Sequence, residues 1–268
     1  MPTSEELAAY YQDPAYFEEG SVDEGYGSYS RMEPALRRWA KRRLRHIEAR
    51  IGRPGQILDF GCAGGFFLDE ARARGWQIFG VELSRDMAGR AAGLLGIPVP
   101  TDLAGLGPEQ GLFDVVTLWE VIEHLPDPLP ELNRLRSLLR PGGMLALSTP
   151  NTGHWQALAA PAQWTSYRPP AHVLYLTEST LLLLMERAGF TSLVVERSSP
   201  LPALPSWLDR MTYRLQQGLA DGSARHWRVS LYAWRAIRLA ALGIQRLHPS
   251  DRDVYMTLEA SAWRPHDV

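Results

Sequence analysis

The chain has 268 residues, 45% of them hydrophobic, 10% aromatic and 22% charged. That suits one large α/β domain with appendages and excludes a disordered, collagen-like or coiled-coil chain. Twenty-eight basic against 30 acidic residues leave a net charge of -2, so no overall field draws the chain to nucleic acid or a membrane. The single cysteine, Cys62, excludes an internal disulfide and a CxxC zinc site. MPTSEELAAY lacks a signal-peptide pattern and no apolar run spans a bilayer, so a cytoplasmic location is expected.

Residues 31–50 carry Leu36, Trp39, Leu44 and Ile47 at helical spacing among arginines, which predicts an amphipathic helix. A buried strand is expected over 56–60, then a glycine turn, a helix over about 65–74 stopped by Gly75, and a strand over 77–82. Ser84 is placed to cap a helix reaching Leu95, which Gly96 and Pro98 end. A short third strand is expected over 98–100 and a fourth over 113–119. A helix over 129–139 closes at Pro141-Gly142-Gly143 before a fifth strand over 144–149. A helix over 177–188 ends at Gly189 and leads into a strand over 192–197. Beyond Pro200, Pro202 and Pro205, residues 206–247 read as helical and basic, and 254–263 as the last strand.

Strands alternating with helices predict a Rossmann-like, seven-stranded, mostly parallel α/β sheet with helices on both faces. The organisation is a helical lid over 1–50, a core over 51–200, a helical insertion over 201–250, and a final strand and tail over 251–268. Such sheets bind ligands beyond the carboxyl ends of their strands, where every motif below falls.

The run Ile57-Leu58-Asp59-Phe60-Gly61-Cys62-Ala63-Gly64-Gly65 reads as strand, acidic residue and tight glycine turn into a helix. Glycines there let backbone N–H groups approach a ligand. Glu82, 21 positions after Gly61, closes the next strand, where a carboxylate can accept from both hydroxyls of a ribose. A dinucleotide fold needs a third glycine where Phe66 stands, and the phosphate-loop pattern is missing. A ligand with a ribose but no pyrophosphate remains.

LDFGCAGG, GVELS, FDVVTLWEVIEHLPDP, LRPGGMLALSTPN and HVLYLTESTLLLLMERAGF, together and in order, resemble the class I S-adenosylmethionine-dependent methyltransferases. The similarity covers about residues 15–200 and is nearest to the ubiquinone-pathway-like small-molecule branch. Tyr16-Phe17 and Gly25-Tyr26-Gly27-Ser28-Tyr29 are similar to the lid of that branch, and Ala63 departs from the family's middle glycine. The resemblance implies S-adenosyl-L-methionine as cofactor, with Asp59, Gly61, Ala63 and Gly65 around its methionine part and Glu82 on the ribose. It further implies Leu83 against the adenine, Asp102 and Leu103 at the adenine amino group and ring, and Trp119 facing the amino group or sulfonium. A reversed last strand is implied over 254–263.

An oxygen acceptor usually gives up a proton during methyl transfer, and histidine suits that task. Of 7 histidines, His124 and His172 stand at strand ends, and they are the candidate bases. Glu120, Glu123 and His124 would share one face of a helical turn, where two carboxylates and an imidazole suit a divalent ion. No metal is assigned, because the same groups also serve as hydrogen-bonding partners of neighbouring loops. Tyr29, Trp155, Trp164 and Tyr167 are the expected acceptor-pocket residues, as aromatics of the lid and of a long loop.

The expected reaction is methyl transfer to a small molecule, most simply at oxygen. The alternatives are carbon or nitrogen methylation of a sugar nucleotide or natural-product intermediate, and a non-catalytic cofactor-binding protein. A nucleic-acid acceptor is disfavoured: Ser148-Thr149-Pro150-Asn151 stands where amino-group methylases carry an N-P-P-Y-type tetrapeptide. Residues 225–246 are expected to form a helix with a solvated arginine face, packed on the domain or across a homodimer, with no stable membrane insertion. Its other reading is contact with a membrane surface or a lipid-like or acidic substrate.

Overall fold

A computed structural model describes residues 4–13, 17, 29–107, 112–200, 208, 211, 226–247 and 252–266. Gly25–Ser28 of the expected lid and most of the expected helical stretch over 206–225 lie outside the described residues. The elements, in chain order, are α1 (Ser4–Gln12), α2 (Tyr29–Ile51), β1 (Gln56–Phe60), α3 (Phe66–Arg72), β2 (Gln77–Val81), α4 (Arg85–Leu95) and β3 (Phe113–Trp119). They continue as α5 (Pro128–Leu138), β4 (Leu139–Pro150), α6 (Trp155–Ala159), α7 (Glu178–Arg187), β5 (Thr191–Pro200), α8 (Trp227–Leu247) and β6 (Tyr255–Trp263).

The sheet among the described residues has six strands in the order β2-β1-β3-β4-β6-β5. β1 pairs in parallel with β2 and β3, and β3 with β4, while β6 runs antiparallel between β4 and β5. The reversed last strand is therefore present. The seventh strand, expected over 98–100, is not formed. Pro98 and Pro100 lack the N–H a ladder needs, and one bond remains, from the Glu82 N–H to the Pro100 carbonyl at 3.0 Å.

A parallel sheet is covered on both faces, so its strands are continuously apolar. On one face α2 lays Ala40, Leu44 and Ile47, each at most 3% exposed, against Ile57, Val115, Met144 and Ala146. Their 4- and 3-residue spacing turns the neighbouring Trp39 outward, 47% exposed rather than buried as its spacing suggested. On the other face Leu132 and Leu135 of α5 and Leu181 and Met185 of α7 close over Leu58, Val116 and Leu118.

Candidate active site

The first half of the site grows out of β1 and β2. Gly61 and Gly65 have φ of +82° and +80°, and a Cβ on Gly61 would lie 2.6 Å from Val121 Cγ2, so only glycine fits there. Ala63 takes the same left-handed region, φ +45°, at some strain. The turn is tied to β2 twice: Gly61 and Cys62 donate to the Val81 carbonyl, and Glu82 Oε2 accepts from the Ala63 N–H at 2.8 Å. Glu82 Oε1 accepts from the Ser84 N–H at 2.9 Å, at the start of α4, where Ser84 is the N-cap. Burial raises the Glu82 carboxyl above its ordinary range, and these two backbone donors oppose that. Each oxygen retains a lone pair for a further donor.

Asp59 is 2% exposed and accepts from Thr117 Oγ1 at 2.6 Å. Burial lifts its carboxyl to about 7, against the Thr117 bond and the nearby Arg43. Tyr29, expected at the acceptor, lies instead on this side. Its hydroxyl accepts from the Gly64 N–H near Asp59 and Glu82, and its ring stacks on Phe66 at 5.5 Å.

Leu83 is 43% exposed beyond β2, an open apolar surface for a flat ring. The exposed Asp102 uses its carboxylate to cap a short helical turn, accepting from the Gly105 N–H at 3.0 Å. Leu103 does not share that exposure: it is 7% exposed and packs in the main core, as a wall beneath the surface. Trp119 also turns away from where it was expected. Its position on β3 points it to the α2 face, under the Arg43 guanidinium at 4.1 Å and against Phe67.

The second half lies past β3 and β4. Glu120 has φ +56°, so no helical turn joins it to His124; a single 3₁₀ turn spans Ile122–His124 instead. Glu120 accepts from Ser148 Oγ at 2.6 Å and faces Arg43 at 3.8 Å. Its expected place beside Glu123 and His124 is taken by His172, and donor atoms of Glu123, His124 and His172 lie within 4.8 Å of one another. Glu123 holds this arrangement together. Its carbonyl accepts from the N–H groups of Val173 and Leu174, and its buried carboxyl accepts from Thr149 through Oε2, while Oε1 has no partner.

Nδ1 of His124 meets the Ala171 carbonyl at 2.9 Å, and Nδ1 of His172 meets the Ser166 carbonyl at 2.8 Å. A carbonyl accepts only, so His172 carries its proton on Nδ1 and keeps the lone pair on Nε2, whereas the His124 ring faces two carbonyls, of Ala171 and Glu120, and the Tyr11 hydroxyl, which together do not fix its tautomer. The rings sit edge to face at 4.8 Å. Burial, then the Arg168 charge, depresses His124 to about 4, and burial, then the neighbouring His124 and Arg168, depresses His172 to about 3, in each case against the carbonyl bonds, so both are neutral at pH 7. Around them, Tyr167 is 47% exposed, whereas Trp164 at 3% is interior. Trp155 belongs to α6, beside His154, with its backbone N–H donating to the Asp253 carbonyl.

Tyr11 and Arg43 were not singled out from sequence. Tyr11 of α1 meets His124 Nδ1 at 2.7 Å and donates to the Ala171 carbonyl at 3.0 Å, across a separation of 113 residues from the histidine. Arg43, buried among Trp119, Ser148 and Glu120, is one of many arginines on α2 with no sequence mark of its own.

A buried carboxylate, a glycine turn and a second carboxylate at the adjacent strand end, on a parallel sheet with a reversed last strand, are the marks of a class I S-adenosylmethionine-dependent methyltransferase. The chain belongs to that family: residues 30–195 match the family described as "Methyltransferase domain". A ubiquinone biosynthesis O-methyltransferase of Xanthomonas campestris is 43% identical over 119 residues, covering 41% of this chain and 49% of the relative. The one from Pseudomonas aeruginosa is 34% identical over 117 residues, covering 41% and 50%. The chain thus spans about half the length of the curated relatives it matches. A methyltransferase structure from Archaeoglobus fulgidus shares the fold, with a TM-score of 0.54 at 20% identity, covering 85% of this chain and 94% of that one.

The residues present fit S-adenosyl-L-methionine, the cofactor of this class. Asp59 suits its ammonium, Glu82 its ribose, and Leu83 its adenine. The Asp59 assignment carries a sign. Below about pH 7 its carboxyl is neutral, and above it is the anion an ammonium needs. Cofactor affinity therefore rises roughly tenfold between about pH 6 and 8, as the neutral fraction disappears, and Asp59→Asn flattens the dependence. Calorimetric titration across that range checks it, and a flat wild-type profile removes Asp59 from the ammonium. In the cofactor-free protein the same raised value stabilises the fold at low pH, an advantage lost as pH rises through about 7.

Proposed function

We propose that this protein transfers a methyl group from S-adenosyl-L-methionine to an oxygen of a small-molecule acceptor, activated at Glu123, His124 and His172. The observation that carries the reading is the Nδ1–carbonyl bond of His172, which leaves a lone-pair Nε2 beside the His124 ring and an unpartnered carboxyl oxygen of Glu123. The name of the curated relatives, ubiquinone biosynthesis O-methyltransferase, supports oxygen over nitrogen or carbon. The methionine sulfonium supplies an electrophilic methyl group with a good leaving group, so holding the acceptor in line does most of the work. His124 and His172 then receive or direct the acceptor's hydroxyl proton, and Tyr11 fixes the orientation of His124. Tyr167 contributes an exposed aromatic wall to the acceptor pocket.

A second mode uses the same atoms. Neutral imidazoles oriented through Nδ1 by carbonyls, next to a carboxyl oxygen lacking a donor, form a set suited to a divalent ion that would lower the acceptor hydroxyl's pKa.

The experiment measures S-adenosylhomocysteine release with catechols and alkyl-substituted phenols as acceptors, before and after chelation. Turnover that survives chelation supports direct proton acceptance. Turnover lost to chelator and restored by magnesium or manganese supports the ion. Turnover only with amine or carbon acceptors overturns the oxygen reading.

A further inference from the structure

We propose that α8 is a docking surface for anionic phospholipid bilayers. Among the described residues of this helix, Val229, Tyr232, Leu239, Ile244 and Leu247 are 68%, 66%, 69%, 63% and 79% exposed. At about 100° per residue these five fall within a stripe roughly 140° wide. Ala233, Ala236, Ala240 and Gly243 lie within the same stripe, so it is apolar along the helix. Leu231, Trp234, Ile237 and Leu242 are half-buried on the other side, with Ser230, Arg238 and Ala241 among them. The helix thus turns one apolar side inward and a second outward. Of the solvated arginine face expected from the sequence, Arg235 is exposed at the edge of this outward side.

The charge of the helix selects the occupant. Trp227–Leu247 contains Arg228, Arg235, Arg238 and Arg246, with no aspartate, glutamate or lysine. Positions 228, 235 and 246 fall within about 20° of one another on the helix, along one edge of the apolar stripe. Arg235 is exposed there. An apolar stripe edged by arginine positions, on a helix without acidic residues, matches an interface in which acyl chains lie beneath phosphate headgroups. A second copy of this chain fits worse, because pairing the stripes about a two-fold axis sets arginine edge near arginine edge with no acidic residue in the helix to answer them. No helix of the described residues is long and apolar enough to cross a membrane, so the contact is peripheral. The chain's net charge of -2 means that attraction comes from this local patch.

The test is co-sedimentation of the full chain with phosphatidylcholine vesicles, with and without about one third phosphatidylglycerol. Binding roughly tenfold or more tighter to the anionic vesicles is expected, weakening in high salt. Leu239→Glu with Ile244→Glu abolishes it, and Arg235→Glu reduces it. These positions are exposed, and unchanged cofactor affinity of the variants verifies their fold. Failure of the wild type to bind either vesicle overturns the proposal, as does equal binding to both. So does light scattering that shows a dimer which Leu239→Glu dissociates, since the stripe then belongs to a second copy.

Discussion

Replacing Glu82 by alanine is expected to weaken S-adenosyl-L-methionine binding by roughly a hundredfold. A hydrogen bond to a charged group contributes about 1.5–3 kcal/mol, and two ribose hydroxyls on one carboxylate amount to about 3 kcal/mol, each 1.4 kcal/mol being tenfold. The substitution acts a second time through the protein itself. Glu82 holds the Ala63 N–H with one oxygen and the Ser84 N–H with the other, so the same carboxylate that meets the ribose fixes the glycine turn and the start of α4. Losing it leaves two donors without acceptors, and thermal stability falls by a few degrees as well. Glu82→Gln recovers only part of the loss, because its amide nitrogen is a donor facing a donor. Calorimetry with cofactor and with S-adenosylhomocysteine measures both variants. Wild-type affinity in Glu82→Ala, with the fold intact by circular dichroism, removes this residue from the ribose.

The parts of this site legible in the sequence are those whose causes are local. Ser84 caps α4 because a serine before an amphipathic run is a sufficient signal, and Gly61 and Gly65 turn where left-handed backbone is needed. Pro98 and Pro100 bracket an extended segment that reads as a third strand, but extension without N–H groups does not make a ladder. The helical face proposed for Glu120, Glu123 and His124 failed for a backbone reason as well. With Glu120 in the left-handed region, the chain reverses before the 3₁₀ turn, and its carboxylate goes to Ser148 and Arg43. Other contacts depend on pairings no short window contains. His172 joins His124 because the Glu123 carbonyl anchors residues 173 and 174, and Tyr11 reaches His124 from α1. Arg43 is chosen among the arginines of α2 only by its register against Trp119 and Ser148. On α8 the composition was readable, but which apolar side faces outward depends on docking, a tertiary property.

The other large effect falls on the histidines. His124→Ala and His172→Ala are each expected to lower kcat by roughly 10²–10⁴, the usual range for a positioned proton-transfer group, with cofactor affinity nearly unchanged. Neither ring contacts the glycine turn or Glu82, so a parallel loss of cofactor binding would point to a folding defect. The double variant should be little worse than either single one, because the two rings share one small space at 4.8 Å and act on one acceptor. Additive losses would instead mean two independent roles. Tyr11→Phe tests the positioning argument: it removes one partner of His124 Nδ1 while the Ala171 carbonyl remains, so kcat falls only several-fold. Glu123→Gln separates the two modes of activation. The amide oxygen still accepts from Thr149 and the shape is kept, so direct proton acceptance by the imidazoles survives largely intact. If the three donors hold a divalent ion, the amide is a far weaker ligand, and the manganese affinity measured by calorimetry falls together with kcat. A variant that loses turnover while binding manganese as the wild type does would assign the Glu123 carboxyl to positioning through its bond from Thr149, and the proton to the histidines alone.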